Sequence, residues 1–281
     1  MRVLSARTLA EALAALARPA TDTHLLAGGT DLMVELHSGR TRPAMVIDLW
    51  RVDELRGIRA EAGGLRLGAL TTCSELRASA LARERADILV AAAREVGAVQ
   101  IQNRATLGGN LGTASPAADL VPVLFALGAR VELVSVRGRR EIAVEDFVTG
   151  YRATARAQDE LVASIRIPPR APGERRLFRK VGTRRAQSIA KLVVALAAEL
   201  DDGRVRVLRT GAGALAERTL RLAALERELA GRAPDPDAIT RAVACCLRED
   251  VRPRDDLRSS ADYRRQVLAR ILAGMLGSLW D

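Results

Sequence analysis

A proline-rich break constrains the fold of this chain more than any other feature. Pro168, Pro169 and Pro172, followed by Gly173, interrupt a long stretch of patterned sequence. Proline has no backbone donor and a fixed φ, so no strand or helix runs through such a segment. The break predicts two domains, residues 1–170 and residues 174–281. Before it, Thr8 and Glu11 form a capping box for a helix whose Leu9, Leu13 and Leu16 share a face and which Arg18-Pro19 ends. His24, Leu25 and Leu26 read as a strand, residues 45–49 as another, and residues 58–69 as a hairpin about Gly63-Gly64. A helix is expected over residues 87–96, and Ser115-Pro116 reads as the cap and first position of the next. Residues 131–136 and the region of Ile142 flank Arg137-Gly138-Arg139 as a second hairpin, and residues 161–167 form a strand. After the break, strands over 189–200 and 204–209 are joined by Asp201-Asp202-Gly203, and helices are expected near 215–230, 237–248 and 261–274. This order is α+β in two domains, not the regular alternation of a doubly wound sheet.

Composition excludes several function classes. With 281 residues, 48% of them hydrophobic, the chain can bury a substantial core. Its apolar runs are far shorter than the roughly 20 residues that span a bilayer, and the N-terminus has no secretory signature, so a cytoplasmic protein is expected. Cys73, Cys245 and Cys246, with His24 and His37 as the only imidazoles, do not make an iron–sulfur or zinc site. Redox chemistry would therefore need an organic cofactor. The net charge of +10 is spread along the chain, and aromatic residues make up only 2%, which argues against nucleic-acid binding. A basic face that docks an acidic partner subunit fits better. Of 44 basic residues all but Lys180 and Lys191 are arginines, so those two ammonium groups stand out.

Two glycine-pair loops carry the candidate chemistry: Ala27-Gly28-Gly29-Thr30-Asp31 and Thr106-Leu107-Gly108-Gly109-Asn110. Consecutive peptide N–H groups with no side chain in the way form a nest for an anion such as a diphosphate. Thr30 and Thr106 add hydroxyls and Asn110 an amide. A glycine pair also simply makes a tight turn, and neither loop is a G-x-G-x-x-G or a Walker A sequence.

The longer strings resemble a known family. Residues 100–120, which contain Asn103-Arg104-Ala105-Thr106-Leu107-Gly108-Gly109-Asn110-Leu111 and Ala114-Ser115-Pro116-Ala117-Ala118-Asp119-Leu120, are similar to the signature stretch of the flavoprotein subunits of molybdenum hydroxylases, the xanthine dehydrogenase and carbon monoxide dehydrogenase family. Leu25-Leu26-Ala27-Gly28-Gly29-Thr30-Asp31-Leu32 resembles that family's first FAD loop. Gly150-Tyr151-Arg152, Asp159-Glu160-Leu161, Ile165-Arg166-Ile167-Pro168, the string from Phe178 to Ala186 and the string from Asp256 to Arg265 continue the resemblance in order. It implies a two-lobed FAD-binding domain of the vanillyl-alcohol-oxidase/PCMH type followed by a smaller domain of antiparallel sheet plus helices. It also implies that both loops hold FAD, that Asp119 contacts it, that Val162 lines the flavin or adenine, and that Lys180 lies near the flavin, where a cation would favour the reduced anion.

The function implied is electron relay. A molybdenum-cofactor subunit would oxidise substrate, a small iron–sulfur subunit would pass electrons to FAD in this chain, and NAD+, a quinone or oxygen would receive them. No catalytic acid, base or metal ligand is expected. In the first loop carbon monoxide dehydrogenases carry Gly-Gly-His-Ser where this chain has Gly28-Gly29-Thr30-Asp31, which leans toward the xanthine and aldehyde branches and away from a histidine-linked flavin. The string Gly211-Ala212-Gly213-Ala214-Leu215-Ala216-Glu217-Arg218 lacks the family's proline, which leaves the contacts of that loop open. Two rivals remain: a self-sufficient FAD-dependent reductase of the same fold, and a basic interaction protein with no enzymatic role.

Overall fold

The computed structural model describes residues 1–18, 22–184 and 186–280. Pro19, at the expected end of the first helix, and Arg185, in the string from Phe178 to Ala186, lie outside the described residues. The first layer is a three-stranded parallel sheet of β1 (Arg2–Ser5), β2 (Thr23–Leu26) and β3 (Met45–Asp48), in the order β1-β3-β2. Thr8 caps the helix Leu9–Leu16, its hydroxyl accepting from the Glu11 N–H, and Ala12 and Leu16 turn inward. This sheet is small, and its core of Leu16, Ile47, Leu49 and Leu55 closes only by packing on Leu70, Val134, Leu161 and Ala163 from the next layer.

That layer is an antiparallel sheet of β4 (Ile58–Glu61), β5 (Gly64–Gly68), β6 (Arg130–Ser135) and β7 (Gly138–Ala143). A short hairpin of β8 (Val148–Gly150) and β9 (Ala153–Thr154) leads to β10 (Leu161–Ile167), which enters the centre to give the order β4-β5-β10-β6-β7. Leu161 and Ala163 face the first lobe, whereas Val162 and Ile165 join the core beneath the helices. A register shift between Val162 and Ser164 in the pairing with β6 interrupts simple alternation. Helices Asp87–Arg94, Leu107–Thr113 and Val121–Ala126 contribute Leu89, Leu107, Leu111, Leu124 and Phe125 to that core.

The third layer is the antiparallel sheet β11 (Arg175–Val181), β12 (Leu192–Asp201) and β13 (Arg204–Gly213). Helices Ala223–Leu229, Pro236–Glu249 and Ala261–Trp280 build a separate core around Leu196, Leu225, Leu268 and Leu272. The opposite side of the sheet meets the helix Val121–Ala126, and Ala195 packs into the N-terminal core.

Several expectations change. Ser115-Pro116 does not start a helix. The Ser115 hydroxyl accepts from the Ala117 N–H in a turn, Ala114 is left-handed at φ 45°, and the helix begins at Val121. The expected loop from Thr106 to Asn110 is the capped start of a helix, Leu107–Thr113, with Thr106 as its cap. The helix expected from 215 begins at Ala223, because residues 214–222 form the loop that returns to the N-terminal part: the Ala214 N–H donates to Pro116 O (2.7 Å) and the Arg218 guanidinium to Val148 O (2.6 Å). The missing proline in that loop therefore does not remove its contacts.

Buried charge pins the C-terminal sheet to the N-terminal helices. The side chains of Arg176 and Glu174 are each 1% exposed, with Nε donating to Oε1 at 2.5 Å. Arg176 also donates to Arg85 O (2.7 Å). Removing one partner strands the other charge in low dielectric, so Arg176→Met is expected to cost about 3–5 kcal/mol. Urea unfolding of the variant checks this, and a loss below about 1 kcal/mol would show that the pair behaves as a solvent-screened surface bridge.

Candidate functional site

All three strands of the parallel sheet end at one rim, the usual place for ligands in such sheets. The first glycine loop leaves that rim after β2. Leu25 and Leu26 are the last strand residues, Leu25 packing against the first-lobe core, and Leu32 opens the helix Leu32–His37. Residues 25–32 are all half-buried. The two glycines have different tasks. A Cβ on Gly28 would overlap the carbonyl oxygen of Arg104, so its bare Cα lets the backbones of the two loops touch. Gly29 sits at φ +81°, a left-handed conformation that a branched residue resists. Among the described residues, the peptide N–H groups of Gly28, Gly29, Thr30 and Asp31 have no acceptor within the chain.

The second loop is built differently. Leu107 N–H donates to Thr71 O (2.9 Å), Gly108 N–H to Ala69 O (2.8 Å), Gly109 N–H to the Thr106 hydroxyl (3.1 Å) and Asn110 N–H to Thr106 O (2.9 Å). These donors are consumed by capping and by the seam with β5, so this loop is not an open nest. A Cβ on Gly108 would clash with Ala69, and one on Gly109 would press on the Thr106 hydroxyl, with Ala27 the next neighbour. Gly109 has no positive φ; its value is closeness. Asn110 Oδ1 is buried without a partner, an orphaned acceptor of the kind that marks a ligand position.

The other expected residues fall into two groups. Ala69 N–H donates to Ala163 O (3.0 Å), which brings β10 beside the second loop, and Val162 (8% exposed) shares its core with Leu107 and Leu111. Lys180 and Asp119 meet each other: the ammonium donates to Asp119 Oδ2 and to Glu95 O, both at 2.7 Å, and is 3% exposed. The pair spans β11 and the segment before the helix Val121–Ala126, so the rare lysine is no lone cation. Asp119 Oδ1 is buried and unpartnered. Burial pushes this carboxyl up to about 6 against the opposing pull of Lys180. Burial, assisted by Asp119, also pushes the Cys73 thiol up to about 12, and Cys73 N–H donates to Ala105 O (3.0 Å) at the foot of the second loop.

Three contributors, Arg152, Arg104 and Trp50, were not singled out in the sequence. Arg152, at φ +50°, forms ion pairs with Asp31 (3.1 Å) and Glu35 (3.0 Å), while its N–H donates to Ala114 O (3.3 Å). It thereby joins the first loop to the end of the second loop's helix and offsets carboxylates that would repel an anion. Arg104 Nε donates to Gly28 O (3.2 Å), and its guanidinium lies 3.6 Å from the centroid of the Trp50 ring. Both arginines lie within strings quoted above, but only the fold gives them partners. Among the described residues no cluster of His, Cys, Asp and Glu could hold a metal ion, and no helix is long and apolar enough to cross a membrane.

The family described as the FAD binding domain in molybdopterin dehydrogenase matches residues 1–170, and that of the CO dehydrogenase flavoprotein C-terminal domain matches residues 177–279. The chain belongs to the FAD-binding, or medium, subunit family of the molybdenum hydroxylases. It is 32% identical over 266 residues to the xanthine dehydrogenase FAD-binding subunit of Escherichia coli O157:H7, covering 94% of this chain and 90% of that one. It is 30% identical to the glyceraldehyde dehydrogenase medium chain of Sulfolobus acidocaldarius, with 88% and 87% covered. Among solved structures it superposes on carbon monoxide dehydrogenase from Hydrogenophaga pseudoflava with a TM-score of 0.95 at 28% identity, covering 100% of this chain and 97% of that one. Quinoline 2-oxidoreductase from Pseudomonas putida 86 gives 0.90 at 26%, with 99% and 96% covered. The mixed α/β fold is that of these flavoprotein chains, and the protein is a component of an oxidoreductase.

Asp119 makes stability depend on pH in a defined window. Its folded carboxyl holds a proton up to about pH 6, whereas the unfolded one releases it near about pH 4. The group's contribution is thus full below the lower value and lost as pH rises through the upper one. Asp119→Asn should flatten stability between about pH 4 and 6 relative to wild type. Urea unfolding across that range is the check, and an unchanged slope would place the Asp119 proton elsewhere.

Proposed function

We propose that this chain holds FAD between its two N-terminal lobes and relays electrons from a partner iron–sulfur subunit, fed by a molybdenum-cofactor subunit, to NAD+ or another acceptor. The observation that carries this reading is the run of peptide N–H groups from Gly28 to Asp31 that have no acceptor among the described residues, next to the loop whose Asn110 Oδ1 is buried without a partner. Consecutive free N–H groups of this kind suit a diphosphate. The fit also explains why the second loop is so fully bonded internally: it supplies the rigid wall on which the first loop rests.

The chain's own groups then divide the work. Peptide N–H groups of Gly28, Gly29, Thr30 and Asp31 would bind the diphosphate, with the Thr30 hydroxyl as a further donor. Asn110 Oδ1 would accept from a cofactor hydroxyl or N–H. Leu25, Leu26, Ala27 and Leu32 fix the entry and exit of the first loop, and Thr106, Leu107, Gly108 and Gly109 fix the second. Val162 would give an apolar wall. Lys180 would act with Asp119 as a neutral pair whose free Oδ1 faces the cofactor, rather than as an isolated cation. When bound, FAD supplies a centre that takes up electrons singly and delivers them in pairs. The domain assignment that accompanies this reading is residues 1–170 for the cofactor and 174–281 for the wall behind Asp119 and for subunit contact.

The expected result is a flavin absorbance spectrum in protein purified with its partner subunits. Acid precipitation should release the flavin, because the first loop offers Thr30 and Asp31 where a histidine could attach it. Gly29→Val should remove the flavin while cooperative unfolding persists, since the substituent resists φ +81° and crowds these N–H groups. Full flavin content in that variant would move the diphosphate away from this loop.

A further inference from the structure

We infer that Arg104 is a positioning residue for the cofactor, acting as a staple that holds the first glycine loop at the correct height, with Trp50 as the platform that aims it. This rests on the FAD reading above, and it concerns residues outside both glycine loops.

Three contacts converge on the staple. Arg104 Nε donates to Gly28 O at 3.2 Å. The backbone of Arg104 touches Gly28 closely enough that no Cβ fits between them. The Arg104 guanidinium stacks 3.6 Å from the Trp50 centroid, within the range of a strong cation–π contact. Gly28 is thus gripped through both its Cα and its carbonyl by one residue of the other lobe. Fixing that carbonyl fixes the peptide plane between Gly28 and Gly29, and with it the direction of the Gly29 N–H.

The platform is itself held firmly. Trp50 follows β3 at the same rim as the first loop. Its backbone N–H donates to Asp48 Oδ1 (2.9 Å), while Asp48 Oδ2 accepts from the Ser5 hydroxyl (2.7 Å). Arg56 donates to Trp50 O (2.6 Å), and its guanidinium lies 4.6 Å from the same ring. The ends of β1 and β3 therefore fix the Trp50 backbone, Arg56 and Arg104 lie over its ring, and Arg104 orients the carbonyl of Gly28. An arginine suits this place because a planar fork can stack and donate at once, whereas an ammonium cannot stack flat. Arg104 is exposed, so the fold does not need it as core.

The test uses the full chain, purified with its partner subunits and freed of FAD, in a Trp280→Phe background that leaves Trp50 as this chain's sole tryptophan, the partners' own emission being common to every variant and removed by difference. FAD is titrated into wild type, Arg104→Met, Arg104→Lys, Trp50→Leu and the reference variant Gly29→Val. We expect Arg104→Met and Trp50→Leu to weaken FAD binding about tenfold or more, the scale of one charged hydrogen bond. Arg104→Lys, which keeps a donor without the stack, should fall between Met and wild type. The melting temperature of the FAD-free protein should stay the same in the Arg104 variants, and Trp50 fluorescence should change in Arg104→Met before FAD is added. Wild-type affinity in Arg104→Met, with binding lost in Gly29→Val, would overturn the staple and leave the FAD site standing. Wild-type affinity in all variants would overturn the site itself. Weakened binding accompanied by a lowered melting temperature, with no rescue by Lys, would reduce Arg104 to general structural support and also overturn the proposal.

Discussion

Everything in the candidate site depends on backbone lying against backbone at the seam between the two lobes. The Cα of Gly28 rests on the carbonyl of Arg104 across that seam, while that of Gly108 rests on Ala69 within the second lobe. A side chain on Gly28 would hold the lobes apart, and one on Gly108 would lift the second loop off the strand end beneath it. Close packing has no slack to absorb even a methyl group without moving an element. The seam also accounts for the unequal fate of the loops. The second loop is built into the second lobe, so its N–H groups are satisfied there by Thr71, Ala69 and Thr106. The first loop only lies against it, and among the described residues the N–H groups of Gly28 to Asp31 have no acceptor. A similar device recurs at the next boundary, where a Cβ on Gly211 of β13 would overlap the carbonyl of Pro122.

The arginine excess looks different once the fold is known. On the outer face of the five-stranded sheet, Glu132 accepts from Arg66 (2.5 Å) and Arg139 (3.0 Å) and from Ser164 (2.6 Å). Burial works against ionisation there, but these hydrogen bonds win and hold the Glu132 carboxyl down at about 2. Arg166 pairs with both Glu61 and Glu141, and Arg140 with Glu160. Cross-strand pairs of opposite charge let this face meet water without a large apolar patch. Many of the arginines that crowd the sequence are thus paired with carboxylates within the chain.

The sequence revealed the parts whose signal is local. The cap at Thr8, the turn at Asp202-Gly203 and the strand that ends at Ile167 are decided by neighbours in the chain, and they stand where expected, although Glu11 accepts from the Arg7 N–H instead of closing the capping box on Thr8. β1 and β11 were not legible. β1 is four residues with no buried position, and β11 reads Arg-Arg-Leu-Phe-Arg-Lys-Val; each is a strand because of what it pairs with. Ser115-Pro116 misled because Ser before Pro caps helices and shapes turns equally well, and only the left-handed Ala114 decides between them. At the site, both glycine loops could be found, but their division of labour could not. Whether an N–H is free depends on Thr71 and Ala69, some 35 to 40 residues upstream of the second loop.

The same reasoning revises the role of Lys180. Its rarity among arginines invited a picture of a free positive charge beside a flavin, yet the ammonium is closed in by Asp119 Oδ2 and Glu95 O. A buried ion pair contributes little net field at a distance, because the two charges nearly cancel beyond their separation. What the pair does control is Asp119. Without the ammonium, burial alone would drive that carboxyl further upward and leave it neutral over more of the physiological range. The residue that touches the C-terminal sheet and the residue that carries the open oxygen are therefore one electrostatic unit. Through it, a shift of β11 against the N-terminal helices would change the protonation of a group in the cofactor's own domain. The third layer is thereby tied to the N-terminal domain by charge as well as by packing.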